Sequence, residues 1–365
     1  MPNNPPPPPS DPAHLDAAWL AWHLREAGLL QEATIQSVRC EPFGESVGFL
    51  SRMAKLVPTY SSQNPALPQS LVLKMETQHP NFRAVADRLR AFDREVGFYQ
   101  NMASQTPTRL PKMYAGNAEG GGGWLLMEDL SHLKPGDQVH GLSNSQVETA
   151  LGHIAAVHAT FWENPQLQNF AWLPEHDFWF REDLRGIWPR FRDNYELRIG
   201  HEAKTLIEWI LANCEQLDAA IAQRSHTLVH GDLRGDNLLL GEPGSEDEVL
   251  ILDWQTVTQS LGAIDVAMLI GGSDPPAERA GHYQELFEAW FDVLSSHGVR
   301  HYSKKDALTD LRLALLSCLR IPLKVFLELK GPKFRNAREA QLADCFILRH
   351  TSAALEFDAK SAMPY

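Results

Sequence analysis

The chain has 365 residues, 44% of them hydrophobic and 22% charged, so it is long enough to form two lobes or domains with substantial cores. Its formal net charge is −13 and it has no run of Lys and Arg, which argues against nucleic acid as a partner and favours a cationic or neutral small-molecule substrate over an anionic one. Widely spaced cysteines and the lack of an apolar run of ~20 residues predict a protein of the reducing cytoplasm, without a zinc site, a disulfide framework or a membrane span.

The N-terminal part of the chain is predicted to be a tail, a helix and a β-meander. Residues 1–14 are rich in proline and are predicted to be disordered, although the same composition also suits a ligand of an SH3-type domain. An amphipathic helix is predicted over 16–30. Three strands are then predicted, over 34–42, 48–57 and 70–75.

The turn between the first two strands contains two glycines, in the sequence Phe43-Gly44-Glu45-Ser46-Val47-Gly48. Backbone amides of such a turn, with the hydroxyl of Ser46, are suited to covering phosphate groups. An ordinary hairpin turn explains the same residues equally well, and both interpretations stay open here.

A buried ion pair is predicted between the third strand and the helix that follows it. Lys74 stands among apolar residues in that strand, and burying an unpaired charge costs several kcal/mol or more. A single helix is predicted over 81–102 from the spacing of its apolar residues, and Glu95 lies beside its apolar face. We therefore predict that Lys74 and Glu95 pair.

A boundary between two lobes is predicted after the apolar strand 124–130. The strand ends in the acidic step Glu128-Asp129-Leu130, and Pro135 and Gly136 then interrupt periodic structure. Unpaired backbone groups in a crossing chain are suited to hydrogen bonding with a purine edge. The predicted lobes are residues 15–130 and 131–365.

The second lobe is predicted to be mainly helical. Helices are expected over 143–162, 203–223, 276–297, 303–330 and 335–359. His153 and His158 lie on different faces of the first of these, which favours structural histidines over a metal site. The aromatic-rich segment 162–195 either packs the lobe or lines a substrate pocket.

One β-hairpin is predicted inside this lobe, and it carries three candidate oxygen ligands. The strands Leu238 to Leu240 and Val249 to Ile251 flank the turn sequence GEPGSEDE. Asn237 and Asp253 lie at the open end of the hairpin, with Asp232 nearby in sequence. Two oxygen ligands are what Mg²⁺ takes from a protein when phosphate oxygens and waters complete its shell.

These parts together indicate phosphoryl transfer, because that chemistry depends on positioning and charge neutralisation around a metal-bound nucleotide. The loop His230-Gly231-Asp232, followed after four residues by Asn237, and the later Asp253-Trp254-Gln255, resemble the corresponding motifs of the protein-kinase-like fold. Within that fold the chain resembles the aminoglycoside phosphotransferase and choline kinase group over about 34–270. With Gln255 after Asp253-Trp254, this motif resembles the ecdysteroid-kinase-like and related broad phosphotransferase branches more than the antibiotic-resistance enzymes.

The resemblance implies an α+β bilobal fold, with a small antiparallel-sheet N-lobe that includes a helix and a larger, mostly helical C-lobe. It also implies an ATP- and Mg²⁺-dependent kinase of small-molecule hydroxyl groups, with GTP open as an alternative donor. The implied roles are catalysis by Asp232 and Arg234, metal binding by Asn237 and Asp253, and nucleotide binding by the residues Lys74, Glu95, Ser46, Glu128, Asp129 and Leu130.

The chain departs from protein kinases in two places. Phe43 to Gly48 is not a G-x-G-x-x-G loop, and no APE motif follows Gln255, which argues against a protein substrate. Two other functions were weighed: a kinase-fold protein that binds without catalysis, and a metallohydrolase using His230, Asp232, Asp236 and Asp253. The second leaves Lys74 and Glu95 unexplained.

Overall fold

The computed structural model describes residues 6, 9, 11–43, 50–62, 64–119, 122–175, 184–273, 275–279, 281–328 and 337–363. The chain divides into two compact units, Met1–Ser104 with Leu110–His132 and Gln105–Arg109 with Leu133–Tyr365. Most of the predicted tail, and the turn that contains Ser46, fall outside the described residues. No helix in the described ranges combines the length and the apolarity needed to cross a membrane.

The first unit is built on a five-stranded antiparallel sheet in the order β1-β2-β3-β5-β4. Its strands are β1 Ile35–Phe43, β2 Ser51–Tyr60, β3 Leu71–Glu76, β4 Met113–Glu119 and β5 Gly122–Glu128, and its helices are α1 Ala17–Glu26, α2 Pro80–Leu89 and α3 Ala91–Asn101. The three predicted strands of the meander are present. The strand β4 was not predicted, because its sequence MYAGNAE shows no alternation of apolar and polar residues.

Side-chain alternation in β3 assigns its residues to two different cores. Leu71, Leu73 and Met75 belong to the cluster that α1 covers with Trp19 and Leu20. A second cluster on α3 contains buried side chains that include Leu125 and Met127 of β5. Lys74 alternates with the α1-facing residues of β3 and therefore extends toward the α3 side of the sheet.

The single helix predicted over 81–102 is wrong, because α2 and α3 are separate helices. The chain turns at Arg90, whose backbone is left-handed with φ 52° and ψ 43°. A left-handed residue other than glycine costs roughly 1–2 kcal/mol. Beyond the break, Phe92 is fully buried in the α3 cluster. Burying a Phe side chain contributes about 1.5–3 kcal/mol, which is enough to offset the strained residue.

The second unit is mainly helical, as predicted, and the α+β class is confirmed. Its helices are α4 Asn144–Thr160, α5 Trp188–Ala212, α6 Cys214–Ala222, α7 Ala263–Met268, α8 Pro276–Arg279, α9 Tyr283–Ser296, α10 Lys304–Cys318, α11 Arg320–Glu328 and α12 Ala337–Glu356. Two small sheets accompany them, β6-β8-β9 and β7-β10, formed by β6 Lys134–Pro135, β7 Thr227–Val229, β8 Leu238–Leu240, β9 Val249–Ile251 and β10 Thr258–Ser260.

Several predicted helices are shorter or divided. The region 203–223 belongs to α5 and α6, and α5 begins inside the aromatic segment and bends at Gly200, where φ is 79°. The predicted helix 276–297 is α8 and α9, and 303–330 is α10 and α11. Asn213 ends α5, because its backbone leaves the helical region with ψ 25°.

The predicted central helix is α4, and its start is well defined. Ser143 accepts the amide of Gln146, whose side chain accepts the amide of Ser143 in return, which forms a capping box. Val147, Leu151 and Ile154 are fully buried. The helix packs against α9 and β9, so it supports the hairpin from one side.

Candidate active site

The predicted ion pair between Lys74 and Glu95 is present in the first unit. Nζ of Lys74 lies 2.7 Å from Oε2 and 2.9 Å from Oε1 of Glu95. The two side chains are only 10% and 3% exposed, so the pair is held by β3 and α3 in a largely dry environment. Removing one partner from such a pair leaves an uncompensated buried charge. Lys74 is therefore held in place by Glu95.

The segment Glu128 to Leu130 begins at the last residue of β5 in the same unit. The carboxylate of Asp129 accepts hydrogen bonds from Ser70 and from the amide of Ser131, and pairs with Nζ of Lys55 at 2.7 Å. Desolvation alone would raise the pKa of Asp129, but these partners outweigh it and hold the pKa well below its usual range. The Asp129 side chain is thus a structural brace.

Glu128 and Leu130, on either side of Asp129, differ in whether their polar groups are hydrogen-bonded. Glu128 accepts the amide of Lys112 through Oε2 at 3.0 Å, and its own amide donates to the carbonyl of Lys112. Within the described structure, the backbone amide and carbonyl of Leu130 take part in no hydrogen bond. If this segment binds a ligand, Leu130 can do so through its main chain rather than its side chain.

In the second unit, His230 braces the loop that carries Asp232. The ring nitrogen Nε2 of His230 lies 2.7 Å from the carbonyl oxygen of Leu252, and Nδ1 accepts the amide of Asp232 at 3.2 Å. This pair of partners requires the proton to be on Nε2. Both ring nitrogens are therefore occupied by backbone groups, and His230 is not placed as a metal ligand.

The glycine of the same loop is required by geometry. Gly231 has φ 82°, and a Cβ atom there would lie 2.6 Å from the carbonyl oxygen of Thr256. Any other side chain would force the loop away from that carbonyl. Thr256 also donates its hydroxyl to the carbonyl of His230 at 2.9 Å. These contacts fix the backbone immediately before Asp232.

A buried carboxylate supports this backbone from α7. Asp265 is fully buried, and its two oxygens accept the amides of His230 at 2.8 Å and Gly231 at 2.9 Å. It also contacts Nε2 of His158 at 3.1 Å, and Nδ1 of His158 accepts the indole N–H of Trp290 at 3.1 Å. His158 is thus a structural histidine, as predicted. The supporting role of Asp265 was missed, since nothing in the spacing of 33 residues from Asp232 indicates contact.

Asp232 and Arg234 lie together in a partly buried pair. Nε of Arg234 donates to Oδ2 of Asp232 at 3.2 Å, and the same oxygen accepts Nδ2 of Asn237 at 3.0 Å. The Asp232 side chain is 22% exposed, and its Oδ1 accepts no hydrogen bond within the described structure. Desolvation raises the pKa of Asp232 and the charge of Asp253 adds to this, while Arg234 opposes it.

The predicted hairpin brings Asn237 beside Asp253. Leu238 pairs with Ile251 in the β8–β9 ladder, and the amide of Leu252 donates to the carbonyl of Asn237 at 2.8 Å. Asp253 follows with a left-handed backbone, φ 63° and ψ 63°. The side chain of Asn237 donates Nδ2 to the main-chain and side-chain oxygens of Asp232 at 2.8 and 3.0 Å. Its Oδ1 accepts no hydrogen bond from any residue that the structure describes, and it is available as a ligand.

The donor set at this end of the hairpin fits Mg²⁺. A carboxylate and an amide oxygen are hard ligands, and Mg²⁺ takes one or two protein oxygens when phosphates and waters supply the rest. Asn237 is 5% exposed, and its amide is fixed in orientation because Nδ2 donates to the carbonyl of Asp232. Among the described residues, no three His, Cys, Asp or Glu side chains are grouped to hold a metal by themselves.

A family model described as the phosphotransferase enzyme family matches residues 59–300, which is more than half of the chain. The chain belongs to this phosphotransferase family. It is therefore an enzyme of the small-molecule kinase class, and the resemblance that the loop and hairpin motifs indicated is confirmed. No curated protein matches the sequence.

Solved structures show that the phosphotransferase has the kinase-like fold. One is a candidate aminoglycoside phosphotransferase from Ralstonia eutropha JMP134, at 17% identity and a TM-score of 0.53, which covers 94% of this chain and 98% of that one. A microcompartment-associated aminopropanol kinase matches at 13% identity and a TM-score of 0.52, covering 96% and 99%. At these identities the likeness concerns the fold alone. The predicted combination of an antiparallel-sheet unit with a mostly helical one is confirmed.

The predicted site residues of the phosphotransferase form two groups, one in each unit. Lys74 and Glu95 pair within the first unit, and Asp232, Arg234, Asn237 and Asp253 gather within the second. Ser46 lies outside the described residues. A cavity of about 360 Å³ between α5 and α12 is lined by His201, Thr205 and Lys360 among others, and no predicted site residue lines it.

Proposed function

We propose that this phosphotransferase transfers the γ-phosphoryl group of ATP, bound with Mg²⁺, to a hydroxyl group of a small molecule. The observation that carries the proposal is the state of Asp232. Its Oδ2 is occupied by Arg234 and Asn237, whereas Oδ1 accepts no hydrogen bond from the described residues and the side chain keeps 22% exposure. A carboxylate presented in this way is suited to accept the proton of an acceptor hydroxyl.

In this proposal each residue has a defined task. Asp232 orients the acceptor hydroxyl and takes its proton, and a positioned general base contributes typically about 10²–10⁴-fold. Arg234, fixed beside it, stabilises negative charge on the transferring group. Asn237 and Asp253 would hold the metal, which when bound would neutralise charge on the nucleotide phosphates.

The first unit would bind the nucleotide. Lys74, held by Glu95, would contact the α- and β-phosphates, and the backbone from Glu128 to Leu130 would contact the purine. Amides around Ser46 would cover the phosphates. We thus assign residues 15–130 to nucleotide binding and 131–365 to catalysis and acceptor binding, and ATP rather than GTP as the first donor to test.

The acceptor is proposed to be neutral or cationic. The formal net charge of −13 disfavours the approach of an anionic molecule, and the chain has no basic run for nucleic acid.

The proposed place of action is the cytoplasm. All four cysteines are free thiols, which supports this proposal.

The test begins with thermal unfolding in the presence of Mg-ATP or Mg-GTP, which should raise Tm for the true donor. ADP release is then followed across a panel of amino alcohols, sugars, polyols and hydroxy acids. We expect turnover with neutral or amino-containing acceptors and its loss in Asp232→Asn, which should still bind nucleotide. Nucleotide binding without turnover across the whole panel would instead identify a binding protein with a kinase fold.

A further inference from the structure

An arginine of the last helix contacts the catalytic loop. Arg338 lies in the first turn of α12 and donates Nη1 to Oδ2 of Asp137 at 3.1 Å and Nη2 to Oδ1 of Asp236 at 2.9 Å. Asp236 directly precedes Asn237, and its side chain is only 6% exposed. One guanidinium group therefore joins two carboxylates from distant parts of the chain.

The second oxygen of Asp236 leads to the candidate active site. Nη1 of Arg234 donates to Oδ2 of Asp236 at 2.6 Å, while Nε of Arg234 donates to Asp232 at 3.2 Å. The charges alternate without interruption from Asp137 through Arg338, Asp236 and Arg234 to Asp232. Each guanidinium lies between two carboxylates, and such planar forks constrain direction as well as distance.

Asp236 has one further anchor. The amide of Gln138 donates to Oδ1 of Asp236 at 2.9 Å, so this oxygen is shared by Arg338 and a backbone group. Without Arg338, the charge of Asp236 would be compensated by Arg234 alone. Arg234 would then be drawn toward Asp236 and away from the longer contact with Asp232.

We propose that Arg338 is a positioning residue of this phosphotransferase: by binding Asp236 and Asp137 it keeps Asp236 oriented so that Arg234 stays beside Asp232. The proposal rests on the proposed function for its effect on catalysis. Arg338 acts only through Asp236, and so its loss should lower kcat rather than weaken nucleotide binding. A side-chain misplacement of this kind can cost up to ~100-fold in rate.

A matched control is an ion pair that involves the same helix, α12. Arg198 of α5 donates to Asp344 of α12 at 2.6 Å, and the two side chains are 44% and 34% exposed. This pair also joins an arginine and an aspartate, here between α5 and α12, and in the described part of the chain it makes no bond to the loop of Asp232. Arg198→Gln therefore reports what is lost when only the attachment of α12 is weakened.

The experiment compares Arg338→Gln, Arg338→Lys and Arg198→Gln with the wild type. For Arg338→Gln we expect kcat to fall about 10-fold or more while the nucleotide KM stays within about 2-fold. Arg338→Lys keeps the charge near Asp236 and should recover much of that loss. Arg198→Gln should behave as wild type, and all three variants should remain folded by circular dichroism.

Hydrogen exchange supplies a measurement that does not depend on turnover. Amides in the peptide 231–240 should exchange faster in Arg338→Gln than in the wild type or Arg198→Gln, because Asp236 loses an anchor. Equal exchange and equal kcat in Arg338→Gln and Arg198→Gln would overturn the proposal. If the wild type itself has no turnover, the proposed function fails, and the exchange comparison alone decides whether Arg338 positions the loop.

Discussion

The carboxylate of Asp265 accepts the backbone amide of His230 at 2.8 Å from a position with no exposure to solvent. The same side chain accepts the next amide, that of Gly231, at 2.9 Å. Two consecutive amides are thus satisfied by one buried charge, which sets the direction of the chain two residues before Asp232.

Asp265→Asn should destabilise the second unit and abolish most activity. An amide offers one acceptor oxygen and turns an N–H group toward donors, so at least one buried amide would lose its partner, and disrupting such a buried charge costs about 3–5 kcal/mol. The loss of stability is measured as the decrease in Tm on thermal unfolding. Asp193→Asn is the control, because that aspartate is 68% exposed and should change Tm little. Equal Tm values for the two variants would contradict the assigned role of Asp265.

Lys74→Met and Glu95→Gln should each raise the nucleotide KM or lower kcat, because each leaves a buried partner unpaired. The double variant should lose less than the sum of the two, with a coupling of about 0.5–3 kcal/mol in kcat/KM. A partly exposed pair, Lys204 with Glu196, gives the comparison cycle and should show coupling near zero. Strict additivity at Lys74 and Glu95 would show that the pair does not act as a unit.

Asp253→Ala should lose Mg²⁺-dependent nucleotide affinity while the protein stays folded. The carboxylate is proposed to provide a metal ligand beside Asn237, and the hairpin that positions it is held together by main-chain hydrogen bonds. Calorimetric titration of nucleotide with and without Mg²⁺ separates a loss of the Mg²⁺-dependent part of the affinity from a loss of nucleotide binding as such. Asp247→Ala, at a partly exposed site in the turn of the same hairpin, is the control and should titrate like the wild type. An unchanged Mg²⁺ effect in Asp253→Ala would assign the metal to other residues.

The first unit should lose stability as the pH falls from about 6.5 to 4. His23 is 5% exposed and lies against the rings of Trp19 and Trp124, and its burial lowers its pKa to about 4. The unfolded chain binds a proton near pH 6.5, whereas the folded chain does not until about pH 4. The contribution of neutral His23 is therefore complete above pH 6.5 and is lost as the pH falls through that window.

The measurement is urea unfolding at several pH values for the wild type and His23→Phe. The variant cannot take up this proton, and so the wild type should lose on the order of 3 kcal/mol more than the variant between pH 7 and pH 4. Parallel pH profiles for the two proteins would show that His23 is not the group responsible.

Local patterns predicted much of the fold. The pairing of Lys74 with Glu95 followed from a cation in an apolar strand and an acid beside an apolar helical face, and the hairpin followed from two apolar runs around a turn. The break at Arg90 could not be predicted, because arginine favours helix and the apolar spacing continues across it. Only the packing of α3 against the sheet selects the left-handed residue.

In the candidate site, too, some residues could be predicted from local sequence and others only from tertiary packing. His230, Asp232, Asn237 and Asp253 stand in one stretch of sequence, and their roles could be proposed from it, while Asp265 and Arg338 reach the loop from separate helices. Their contacts depend on tertiary arrangement, which spacing along a single sequence does not encode. Arg338 in particular lies 102 residues from its partner Asp236.

The β8–β9 hairpin makes the distance between Asn237 and Asp253 independent of the length of the turn that joins the strands. The ladder from Leu238 to Leu240 lies between the two proposed metal ligands and the turn, and the amide of Gly241 closes the far end on the carbonyl of Glu248 at 3.0 Å. Residues 242–247 beyond this closure are mostly exposed. A fluorescent label or a short peptide inserted there would report on the proposed catalytic region without displacing it, which makes this turn a practical site for engineering the enzyme.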